Sequence, residues 1–166
     1  MRIIKKIVKY ASIFVGVCLL LFLILITTSC IPRESIEEKL KESATFLKDK
    51  NGIEELARVR YDKIIHYYAD SMLLNIIYCL DTDTPIKSTL WANYYEKRHM
   101  DVNDDFVEVV EEQKAPNQQY LRYWHGSMAI IRPLLLVFNI EQIYILNRNI
   151  IYNISWNTIL LTVQKE

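Results

Sequence analysis

YASIFVGVCLLLFLILITTSCIP, Tyr10 to Pro32, runs for 23 positions without a charged residue. A helix rising about 1.5 Å per residue needs roughly 20 residues to cross a hydrocarbon core of about 30 Å, so this stretch is long enough for a transmembrane span. Its densest part, Ile13 to Ile26, also has the length of a secretory h-region. Thr27-Thr28-Ser29-Cys30 loosely matches a lipobox, with Thr27 where Leu is expected. Three fates therefore stay open: an uncleaved span, a lipoprotein lipidated at Cys30, or ordinary cleavage. The uncleaved span is the preferred reading.

Outward from that block the charges fall into an order. Residues 1–9 hold Arg2, Lys5, Lys6 and Lys9 and no acid, a charge of +4. Residues 33–125 carry a net charge of −5, and residues 126–166 one of +1. The whole chain of 166 residues balances to zero. A balance of zero excludes a general nucleic-acid binder, which needs a basic excess. With Gly at 3 and Pro at 4, composition also excludes collagen-like and low-complexity chains. The positive-inside rule places the basic tip in the cytoplasm and residues 33–126 outside the membrane.

The polar middle shows helix signals and no sustained strand alternation. Ser35 and Glu38 have capping-box spacing ahead of Ile36, Leu40 and Leu47. Ile53, Leu56, Val59 and Ile64-Ile65 predict a second helix, and Met72 to Leu80 a third. Thr84-Pro85 reads as the start of another. Asn103, Asp104 or Asp105 would cap a helix running to Glu112, and Tyr120 to Trp124 would begin the next. Ser127 to Phe138 is apolar but broken by Arg132-Pro133, and it reads as an interfacial or re-entrant helix over 127–139. Residues 142–163 form a marginal second transmembrane helix, because Arg148 and several asparagines raise the cost of insertion. The fold class expected is an all-α membrane protein: a basic tip (1–9), a transmembrane helix (10–30), an extracytoplasmic helical region (31–126), and those two last segments.

Chemistry has few footholds. Asp81-Thr-Asp83, with Asp70 upstream, could bind a divalent cation or supply a general base. The same residues before a proline are ordinary turn formers. Asp101, Asn103, Asp105 and Glu112 stand at EF-hand ligand positions, but Phe106 replaces the glycine that the loop needs. Arg122, His125 and Arg132 could recognise a phosphorylated lipid, or serve with the neighbouring aromatics as interface anchors. The cysteines show no metal-ligand spacing, although Cys30 and Cys79 could pair outside the cytoplasm. There is no phosphate loop, nucleophile elbow or zincin motif. No cofactor is evident beyond that divalent cation.

RYWHGSMAIIRPLLLVFNIEQIYILN, Arg122 to Asn147, and ADSMLLNIIYCLDTDTPIKSTLWANYY, Ala69 to Tyr95, resemble a family of large polytopic membrane proteins of Gram-positive bacteria. These are similar in layout to GT-C glycosyltransferases, with one span, a helical outer loop, then many further spans. The resemblance implies a polyprenyl-phosphate-linked sugar as donor and a role in cell-envelope glycan or lipid glycosylation. It makes Asp70, then Asp81 and Asp83, the catalytic candidates, and Arg122, His125 and Arg132 the substrate-binding group. Two spans cannot enclose a lipid donor, so the chain is expected to be a truncated N-terminal portion, inactive without its remaining spans. The alternative is a small membrane-anchored helical protein, or lipoprotein, that binds a membrane partner without catalysis.

Overall fold

The computed structural model describes residues 2–48, 50, 54–55, 64–65, 67–97, 101–122 and 126–163. The uncharged block lies in one continuous helix, α1 (Arg2–Ser29). It is the one helix among the described residues that is long and apolar enough to cross a membrane. From Ile3 to Leu21 every side chain is exposed, and burial begins only at Phe22. Leu25, Thr28 and Ser29 are buried against the folded domain. The Ser29 and Thr89 hydroxyls meet at 2.8 Å, tying the end of α1 to α4 (Pro85–Trp91). α6 (Met128–Leu134) packs against α1 as well.

The domain is built on α2 (Glu37–Leu47), α3 (Tyr67–Tyr78) and α5 (Val102–Glu111), which pack on one another. Ile36, Leu40, Ala44 and Leu47 recur at helical spacing and are all buried, so one face of α2 closes on the others. α5 contributes Phe106, Val109 and Val110, each fully buried, and α3 contributes Leu74, Ile76 and Ile77. α7 (Ile140–Val163) begins on this core through Ile140 and Ile143 and then leaves it, exposed from Asn147 to Ser155. It has the length of the expected second span. Asn147, Arg148, Asn149, Asn153 and Asn157 keep it short of the apolarity that α1 has.

Four expectations are corrected. Ser35 does not cap α2, because Pro32 opens a tight 3₁₀ turn, Arg33–Ser35, that absorbs it. The cap of α5 is Asp101, whose carboxylate accepts the Asn103 N–H at 2.9 Å. At the described positions of the expected second helix, β1 (Glu54–Glu55) pairs antiparallel with β2 (Ile64–Ile65); Ile53, Leu56 and Val59 lie outside the described residues. Where a helix was expected to begin at Tyr120, the chain leaves β4 (Gln118–Gln119), which pairs with β3 (Asn93–Tyr94), and Tyr120 to Arg122 are not helical; Tyr123 and Trp124 lie outside the described residues. Helical periodicity in a short amphipathic stretch does not tell a helix from a ribbon edge.

Between β3 and α5 the chain forms a strap held by three side chains. The Asn75 carboxamide pairs with the Tyr95 backbone, donating to its carbonyl at 2.8 Å and accepting its N–H at 3.0 Å. Asn117 does the same for Glu96, at 2.8 and 2.9 Å. Asp105 accepts the Lys97 N–H at 3.0 Å. Three consecutive residues thus satisfy backbone groups without a neighbouring strand.

Candidate functional site

The acidic candidates do not converge. Asp70 lies in the first turn of α3 and Asp81 three residues beyond its last, so about 12 Å of helix, from Asp70 to Tyr78, lies between them. Asp70 is half-buried and accepts a hydrogen bond from the Tyr144 hydroxyl at 2.5 Å. Around that bond Tyr144 packs with the rings of Phe46 and Tyr67. Asp81 is exposed, and its carboxylate accepts from the Thr84 hydroxyl at 2.7 Å and the Asp83 N–H at 2.9 Å. Those bonds, the Thr84 hydroxyl foremost, hold its pKa below the usual carboxylate range. Its backbone is clamped by Ser88, which accepts the Asp81 N–H and donates to the Asp81 carbonyl. The Asp81–Asp83 turn therefore leads into α4 with the Asp81 carboxylate engaged by its own neighbours, and Asp83 stays exposed beside it. Among the described residues no group of three or more His, Cys, Asp or Glu could hold a metal ion.

The basic candidates separate too. Arg122 is exposed, whereas Arg132 is completely buried. The guanidinium of Arg132 donates to the carbonyls of Ile77 and Ile31, each at 2.6 Å. Both acceptors lie where a helix ends, Ile77 in the last turn of α3 and Ile31 just past α1. Helix C-termini leave carbonyls without partners and carry partial negative charge, so one cation serves two ends. Burial pulls its pKa down to about 10, which still leaves it charged at neutral pH. The structure thus gives Arg132 a stapling task inside the fold, and its two terminal nitrogens are not free for an anion. His125 lies outside the described residues.

Asp101 to Glu112, the EF-hand-like run, is a cap followed by a helix with Phe106 in the core. Cys30 is exposed and Cys79 buried, both as free thiols, so the bridge left open by spacing is not formed. Burial pushes the Cys79 thiol up to about 12. At pH 8 that leaves about two-thousandfold less thiolate than a thiol of ordinary pKa near 8.5. Iodoacetamide is expected to modify Cys30 in the folded protein and Cys79 only after denaturant is added, read by peptide mass spectrometry.

Two features escaped the sequence reading. One is an open groove of about 590 Å³ where the end of α4 meets the β3–β4 ribbon, lined by Trp91, Asn93, Gln118, Gln119 and Leu121 among others, with no charged side chain. The residues lie in two separate stretches, 91–93 and 116–121, and no motif joins them. The other is a reciprocal cap at α7: Gln142 N–H donates to Asn139 Oδ1, and Asn139 N–H to Gln142 Oε1, each at 3.0 Å. Asn139 also donates to Glu42 on α2 at 2.8 Å, and Ser43 accepts the Ile140 N–H at 3.0 Å. The Asn-x-x-Gln spacing was the available signal for that cap. No family model, curated protein or solved structure matches this chain.

Proposed function

We propose that this chain is a membrane-anchored helical protein that holds a rigid binding module at the outer face of a bacterial cytoplasmic membrane. Its basic tip faces the cytoplasm, and the module engages a membrane partner without catalysis of its own. One observation carries this reading: the last turns of α1 belong to the core of the domain, through Leu25, Thr28 and Ser29. Cleavage before Cys30 would strip those side chains from the core, which favours the uncleaved span over a lipoprotein. An anchor continuous with a folded domain also fixes the orientation of that domain, as a flexible tether cannot. Intact-mass analysis of chain recovered after alkaline carbonate washing tests it. The full mass is expected in the pellet; release by carbonate, or a new terminus at Cys30, would refute the anchor.

A second reading, the GT-C-like one, is favoured by the groove beside Trp91. An indole face amid uncharged carboxamides is suited to a neutral sugar ring. On this reading Asp70 supplies the carboxylate, and further spans supply the cavity for a polyprenyl-phosphate donor. Transfer from a lipid-linked sugar should then be measurable and should be lost in Asp70→Asn and His125→Ala. Absence of transfer by well-folded chain, with capture of a membrane partner by crosslinking, would support the binding module instead.

A further inference from the structure

The part of α1 that is bare on every side is shorter than the membrane the helix is suited to cross. Lys9 ends the basic tip, and burial in the domain begins at Phe22. Between them the bare, uncharged stretch Tyr10–Leu21 is 12 residues long. At about 1.5 Å per residue it covers roughly 18 Å of a hydrocarbon core about 30 Å thick. The missing 12 Å or so is the length of the next 8 residues, Phe22 to Ser29, where one face (Leu25, Thr28 and Ser29) packs into the domain beside α4 and α6 while Leu23, Ile24 and Thr27 stay exposed. Snorkelling by Lys9 recovers roughly one turn of the deficit and leaves the rest.

A second, independent observation lies on the two helices that flank this part of α1. On α4, Ile86 and Leu90 share one face at i,i+4 spacing, and both are more than half exposed. Trp91 follows at 42% exposure, with the Lys87 ammonium 4.4 Å from the centre of its ring. On and just after α6, Ile130, Leu136 and Val137 are exposed in the same way. The opposite sides of these elements, Thr89 with Ser29 and the buried Met128 and Leu135, are taken up by the protein. A soluble domain gains nothing by turning isoleucine, leucine and tryptophan outward around its own anchor.

We propose that α4 and the end of α6 form a collar sunk into the outer leaflet around α1, with the lipid surface as its occupant. Apolar side chains of the collar continue the exposed surface of Leu23 and Ile24 at the headgroup–acyl boundary, beside the face that α1 turns into the domain. Trp91 lies at the depth preferred by interfacial aromatics, and Lys87 reaches from its ring toward lipid phosphate. The collar rests on the anchoring role of α1 proposed above and adds depth and orientation to it. It also places the uncharged groove at the level of the lipid headgroups, since Trp91 belongs to both.

Full-length chain carrying Trp124→Phe and Trp156→Phe, leaving Trp91 as its one tryptophan, can be reconstituted in phosphatidylcholine–phosphatidylglycerol vesicles. Lipid brominated at carbons 6 and 7 of the acyl chain is expected to lower Trp91 emission by about twofold, as an interfacial depth requires. Adding Leu90→Asp should restore most of that emission while the chain stays resistant to alkaline carbonate. Carbonate-resistant chain whose Trp91 is quenched by aqueous acrylamide and not by brominated lipid would overturn the collar and leave the anchor standing. A Trp91 shielded from both quenchers would mean that protein covers this face, which also overturns it. Release by carbonate would remove anchor and collar together.

Discussion

Arg132→Met is expected to destabilise the protein by about 3 kcal/mol, the cost of leaving two buried carbonyls unpaired together with a poorly filled site. The carbonyls have no substitute donor in reach of their own helices. The amide four residues after Ile77 is that of Asp81, and it donates to Ser88. The amide four residues after Ile31 is that of Ser35, and it donates to the Pro32 carbonyl. The guanidinium thus completes what the backbone leaves open at the ends of both α1 and α3. A point charge cannot do this equally well, since it lacks the planar fork that spans two acceptors. Arg132→Lys is accordingly expected to lose about half as much, keeping one charged hydrogen bond worth about 1.5–3 kcal/mol. Denaturant unfolding of the detergent-solubilised full chain, followed by tryptophan emission, measures both. A methionine variant as stable as the parent would show that the desolvation cost of the buried cation outweighs its bonds.

The same residue shows why parts of the molecule were legible in sequence and others were not. α1 was readable because its signal is one of length and composition, which no tertiary contact needs to complete. The helices of the core were readable where buried residues repeat at helical spacing, as in Ile36, Leu40 and Leu47, or where Pro85 marks a first turn. Arg132 was visible as an arginine in an apolar run, which pointed toward lipid phosphate. Its actual acceptors, 55 and 101 positions away in the chain, are set only by the packing of α6 on α3 and α1. Asp101 could have been preferred as the cap of α5, since a side chain two residues before the amide it receives is the ordinary arrangement. The β3–β4 ribbon carries no alternation to read, because its pairing rests on the strap beside it. For the candidate site the lesson is sharper. Local chemistry placed Asp81 and Asp83 correctly as turn residues, yet nothing in the spacing revealed that the length of α3 holds Asp70 away from them.

Asn75→Leu is expected to be the second most costly change, at about 2–4 kcal/mol, because it orphans both the N–H and the C=O of Tyr95. Asn75 is fully buried in α3, in the run MLLNIIY where every neighbour is apolar. A polar residue persists at such a place only if its bonds are met, and here the carboxamide acts as one rung of a missing strand. What depends on it lies further along the strap. The Tyr95 hydroxyl donates to Glu108 at 3.0 Å, and Lys97 pairs with the same carboxylate at 3.0 Å. Those two bonds hold Glu108 below its ordinary pKa, the Lys97 contact contributing most. If the strap loosens, that carboxyl should return toward its ordinary value, a shift that carbon-13 NMR of labelled glutamate would detect. The folded-state pKa is the lower one, so the stabilisation from Glu108 is present above the unfolded pKa and fades as pH falls through the folded value. Asn75→Leu should remove that acid-side dependence along with the stability. Asn75→Asp separates the two halves of the rung: it keeps the acceptor for the Tyr95 N–H, loses the donor, and buries a charge. It should therefore be more damaging at pH 7 than near pH 4, where protonation returns a donor. An aspartate variant equally stable at both pH values would mean that the strap is held by its apolar contacts, with the carboxamide incidental.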